Sequence, residues 1–167
     1  MTPSELLTEA FSRIPSTVER AVTGLSEDQL ATRPSAGANT LAWLAWHIAR
    51  GQDVQVADLA GTEQVWTADG WYDRFDLPFP ADALGYGMSR DEVGRVRASA
   101  ELLTGYLDAV HARTVAVLAG MGESDLDAVV DDAWDPPVTA GARLVSILND
   151  CTQHAGQAGY VRGLLFF

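Results

Sequence analysis

Lysine is absent from this chain, and cysteine occurs once, at Cys151. A single thiol excludes an intramolecular disulfide, as expected of a protein kept in a reducing compartment. Positive charge is scarce as well: 11 bases, all arginine, stand against 23 acids, for a formal charge of −12. Nucleic acids and anionic membranes are bound through clusters of positive charge, so this balance argues against either as a partner. The exclusive use of arginine reads first as a bias toward GC-rich codons. No apolar run approaches the roughly 20 residues that a membrane span needs. The N-terminal stretch Met1-Thr-Pro-Ser-Glu-Leu-Leu7 carries an acid where a signal peptide carries bases before an apolar segment, so the expected location is the cytoplasm.

What is present is enough for one domain spanning 1–167, since 167 residues at 47% hydrophobic content can bury a sizeable core. From Pro3 to about Thr23 the apolar residues fall at helical spacing, with Ser4 as a cap and Pro15 marking a kink or division. Ser26 and Gln29 form a capping-box pattern over one short turn. A second helix is expected from Asn39 or Thr40 to about Leu59, capped by Asn39 and stopped by Gly61. Gly61 to Met88 has no regular pattern and holds Trp66, Trp71, Tyr72, Phe75, Phe79 and Tyr86, so this connection is expected to form a lid or pocket wall. The capping box Ser89-Arg-Asp-Glu92 opens a long helix predicted to reach Ala119. Glu123 to Pro137 reads as a solvated acidic connector, and the last helix begins near Thr139. No strand-like alternation, phosphate-binding loop or repeat stands out. The expectation is all-α: a four-helix bundle with a long aromatic-rich connection between helices 2 and 3.

The last helix carries Asp150 and His154. Residues four apart share a helix face, so this carboxylate and imidazole can bind one metal ion, with a third ligand from another helix. His47, set among Trp43, Leu44, Ile48 and Val54, is the obvious donor, because a buried imidazole must satisfy both ring nitrogens. A core histidine bonded to a backbone carbonyl is the other reading of His47. Cys151 sits about 100° from the Asp150 face and reads as a packing residue, not a nucleophile. His111 has only Leu107 and Val115 at i±4 and reads as partly exposed or locally bonded. Gln157 can orient a ligand or substrate, or simply pack. Arg50 reads as a surface salt-bridge residue.

Three stretches carry a resemblance: Ala42-Trp-Leu-Ala-Trp-His47, Trp134-Asp-Pro-Pro-Val-Thr139, and Asp150-Cys-Thr-Gln-His-Ala-Gly-Gln157. Together they resemble the DinB-like superfamily, and in particular its mycothiol-dependent branch of mycothiol S-transferases and the N-terminal domain of mycothiol-dependent maleylpyruvate isomerase. The resemblance covers nearly the whole chain and implies a four-helix bundle with a divalent metal held by His47, Asp150 and His154. Many members use three histidines, and the isomerase has an acid at the position of Asp150. Two histidines and a carboxylate suit zinc first, with nickel and iron(II) also compatible.

The function this implies is a metal-dependent S-transferase or isomerase, in which an open metal position activates mycothiol, a low-molecular-weight thiol, for attack on a small electrophile. Trp46, Trp71 and Phe75 are the expected pocket residues, and the resemblance lets Arg50 pair with a carboxylate of the thiol cofactor as the alternative to its salt bridge. A metal-dependent hydrolase and a non-catalytic metal-binding bundle are the alternatives. The resemblance also implies a homodimer.

Overall fold

The computed structural model describes residues 1–166, and 66% of it is helix against 3% strand. The first bundle helix is split into α1 (Pro3–Phe11) and α2 (Arg13–Val22). Pro15 lacks an N–H, and its ring would strike the carbonyl of Phe11 four residues back, so the break falls at Ser12, ahead of the proline itself. The cap of α1 is Thr2, in a capping box with Glu5, and not Ser4. Ser4 instead donates its hydroxyl to the Met121 carbonyl. The short α3 (Glu27–Leu30) follows the Ser26–Gln29 box as expected.

The centre of the bundle is α4 (Leu41–Ala60). Thr40, one residue past the expected Asn39, accepts the Trp43 N–H, and Gly61 ends the helix in a left-handed conformation, φ 61°. Every residue from Leu41 to Asp53 is buried, as in a helix surrounded on all sides by others. Polar groups in that run can find partners only inside the protein, and the indole N–H groups of Trp43 and Trp46 find none among the described residues. Gln52 finds one by donating to Thr114 Oγ1 at 2.7 Å.

The connection after α4 is more regular than its sequence suggests, containing α5 (Val65–Ala68) and α6 (Trp71–Phe75). The long helix expected from Ser89 is two helices. The Ser89–Glu92 box forms, but α7 (Arg90–Arg95) ends at Val96, which is extended and fully buried. Ser99 then caps α8 (Ala100–Ala119) by accepting the Leu102 N–H. Burial of Val96 and Ala98 in the core outweighs the helical continuity that spacing alone implied.

The acidic connector holds a 3₁₀ turn at Glu123–Asp127 and a small antiparallel ribbon, β1 (Val129–Asp131) with β2 (Val138–Thr139). This corrects the expectation of no strand; elements of three and two residues are too short to show a period. The last helix, α9 (Ala140–Phe166), packs along α4 and α2. Its core-facing stripe is Leu144, Ile147, Cys151, Ala155 and Ala158, which places Asp150, His154 and Gln157 on its margin and not in the core-facing row. No helix among the described residues is long and apolar enough to cross a membrane.

Candidate metal centre

Where α9 packs on α4, His47, Asp150 and His154 come together, each offering a ligand atom within 4.8 Å of the others. His47 forms the inner wall, with 2% of its side chain exposed, while Asp150 and His154 stand further out at 30% and 18%. The His47 ring stacks on Trp43 with centroids 4.5 Å apart, and Tyr86 meets it edge-on at 4.9 Å. Its Nδ1 donates to the Leu84 carbonyl. That approach depends on the next residue being glycine: a Cβ on Gly85 would lie 2.7 Å from His47 Nδ1, and its φ of +100° is one that L side chains rarely adopt.

His154 is held the same way, with Nδ1 placed 3.0 Å from Gln157 Oε1. Both imidazoles thus carry their proton on Nδ1 and direct the Nε2 lone pair toward Asp150. His47 Nε2 lies 4.0 Å from Asp150 Oδ2, and His154 Nε2 lies 3.6 Å from Oδ1. Neither Nε2 makes a hydrogen bond among the described residues. Two imidazoles held through Nδ1 and one carboxylate are a donor set that suits a divalent cation.

Ionisation favours that reading at His47 and opposes it at His154, whose proton a bound cation would have to displace. Burial lowers the pKa of His47, and the nearby His154 pushes it the same way, so its ring stays neutral. The adjacent His154 holds the Asp150 carboxyl below its usual range, and reciprocally Asp150 raises the pKa of His154. Burial, reinforced by the Asp150 charge, raises the Tyr86 phenol and keeps it protonated.

The remaining expected site residues fall elsewhere. Arg50 is fully buried and is neither a surface ion pair nor a ligand contact. It donates to the carbonyls of Ala81 and Ala83 and to Gln64 and Tyr106, and it pairs with Asp53 at 3.7 Å. Asp53 in turn accepts the N–H groups of Val65 and Trp66 and the hydroxyl of Tyr106. Trp71 and Phe75 are buried against Tyr106, and Trp46 against Phe79. These aromatics are packed into the core.

Gln157 is the one outer residue found in contact with a ligand candidate. Cys151 is buried with Sγ 3.7 Å from Gln52 Oε1, and burial pushes its thiol up to about 12. His111 lies apart from the cluster, half-buried, with Nδ1 unpartnered among the described residues. Sequence reasoning missed Leu84, Gly85 and Tyr86 as neighbours of His47. The Gly85-Tyr-Gly87 triplet, both of whose glycines have positive φ, was the available signal.

An all-α bundle carrying a His–Asp–His group defines a class of helical proteins able to hold a divalent ion between facing helices. The chain belongs to the DinB superfamily, whose family model matches residues 10–158. It is similar to a solved protein from Enterococcus faecalis, described as a conserved protein of its locus, at 32% identity and a TM-score of 0.92, covering 99% of this chain and 98% of that one. No curated protein matches the chain. Members of the superfamily commonly bind a divalent metal.

Proposed function

We propose that this protein is a metal-dependent thiol S-transferase or isomerase that uses mycothiol, with His47, Asp150 and His154 as the metal ligands. One observation carries the reading: both Nδ1 atoms are engaged by acceptors, so two unbonded Nε2 atoms converge with a carboxylate. A divalent ion held there, zinc foremost, stabilises thiolate over thiol. Leu84 and Gln157 engage Nδ1 of the two rings, which fixes their orientation and leaves each Nε2 facing Asp150. Tyr86, more than half exposed and edge-on to His47, places a neutral phenol on the outer side, able to donate a hydrogen bond to whatever occupies it. No protein nucleophile competes, because the Cys151 thiol is buried and raised to about 12.

Support for thiol transfer over hydrolysis comes from Asp53. It is the first carboxylate beyond His47 on the same helix, it lies too far along that helix to be an obvious base for water, and it is buried and already accepts three hydrogen bonds. The test incubates zinc-loaded protein with mycothiol and a halogenated bimane and follows the thioether by mass spectrometry. Adduct formation should exceed the protein-free rate and vanish on chelation and in His154→Ala. Adduct formation indifferent to chelation, or ester hydrolysis without any thioether, would contradict the reading.

A further inference from the structure

One turn beyond His154, the wall of the metal centre becomes the wall of a cavity. Gln157, the partner of His154 Nδ1, also lines a chamber of about 340 Å³. Its other side-chain walls include Pro34, Leu44, Tyr160, Val161 and Leu164, and no charged residue lines it. Tyr160 and Leu164 are 70% and 53% exposed, an apolar edge that nothing among the described residues covers. The size lies in the lower part of the roughly 300–1,000 Å³ range of small-molecule sites.

Ala38 and Asn39 line this chamber and also a second, smaller pocket that carries Arg33 and Arg90. In a chain of charge −12, neither arginine meets a carboxylate among the described residues. Arg13, Arg50, Arg97 and Arg143 are each paired with an acid; Arg20, Arg74, Arg95, Arg113 and Arg162 are not among the described residues, and what sets Arg33 and Arg90 apart is that both line one pocket. Arg33 donates only to the backbone carbonyls of Ala36 and Arg90. Arg90 makes no side-chain hydrogen bond or ion pair among the described residues, and its neighbour Glu92 is occupied in capping α7 through Ser89. Asp91 beside it is exposed. Two cations without a counter-charge among the described residues thus lie in a pocket that shares Ala38 and Asn39 with an uncharged apolar chamber, and that chamber shares Gln157 with the metal centre. Guanidinium groups match a carboxylate in geometry as well as charge.

We infer that the chamber is the binding site of a small organic acid, its apolar body between α4 and α9, its carboxylate at Arg33 and Arg90, and its far end toward Gln157. This rests on the proposed function in identifying that acid as the electrophile; the site itself does not require the metal. The experiment is calorimetric titration of the full chain with 3-phenylpropionate and with its uncharged amide, both with zinc and after chelation. In chelated protein the acid should bind about fivefold tighter than the amide, the scale of partly exposed ion pairs. Arg90→Gln should remove that preference without weakening the amide, Arg90→Lys should retain part of it, and Leu164→Glu should weaken both ligands.

Equal binding of acid and amide, no binding of either, or acid binding that requires zinc would overturn the inference; the last result would put the carboxylate on the metal. A preference that survives chelation in a protein shown not to take up metal would keep this site and remove the metal centre. The two claims therefore fail separately.

Discussion

Two groups of polar side chains sit three residues apart on α4 and differ in how completely they are satisfied. Around Arg50 and Asp53 the partners are numerous: four hydrogen bonds from the guanidinium, three to the carboxylate, and Trp66 stacked against the cation at 4.8 Å. Around His47 and His154 each ring uses one nitrogen and leaves the other aimed at Asp150. A satisfied buried network fixes the backbone around it, whereas converging unbonded lone pairs leave room for a ligand. The two are also linked. Arg50 holds the carbonyls of Ala81 and Ala83, and the next carbonyl along, Leu84, is the one that orients His47.

The comparison is broken most severely by Arg50→Ala, which strands Asp53 in the core. We expect a loss of about 3–5 kcal/mol in chemical unfolding, typical of removing one partner of a buried ion pair. Next is His154→Ala, which should lower metal affinity by more than the roughly 10–100-fold that loss of an outer-shell partner costs, with circular dichroism still that of the parent helices. Gln157→Leu should fall within that 10–100-fold range in competitive chelator titrations, because it frees the His154 tautomer without removing a ligand. Cys151→Ala should change any thiol-transfer rate by no more than a few-fold, although shortening a buried side chain costs some stability.

The finest test is the order of protonation in metal-free protein. His154 is raised from 6.5 mainly by Asp150, so its contribution to stability is present below that value and lost as pH rises through its folded value. His47 is lowered from 6.5 mainly by burial, so it costs nothing above that value and weakens the fold as pH falls below it. Imidazole resonances followed by NMR should show His154 taking up its proton first on acidification. Asp150→Asn should bring His154 back toward 6.5.

Much of the bundle was legible because periodicity and capping are local. The Ser26 and Ser89 boxes, the Gly61 stop and the start of α9 all stand close to where the residues placed them. The candidate ligands were readable from i, i+4 spacing on α9 and a histidine in an apolar stretch of α4. What failed depended on contacts distant in sequence. Arg50 one turn from His47 looked available to a ligand, yet carbonyls more than 30 residues away absorb it. Trp71 and Phe75 looked like pocket walls because nothing in their own stretch shows that Tyr106 waits for them in the core. The break at Val96 left no local trace either, since Ser99 caps α8 without an acid three residues on to complete a box.

The central claim is that His47, Asp150 and His154 hold one metal ion, and elemental analysis of tag-free protein addresses it directly when the parent is compared with His47→Ala. Near-stoichiometric metal in the parent, absent from the variant, with a melting temperature of the parent that falls on chelation, is the expected result. An absence of metal in both proteins, with stability unchanged by chelator, would contradict the claim and leave a helical bundle with two inward-facing histidines and no ion between them.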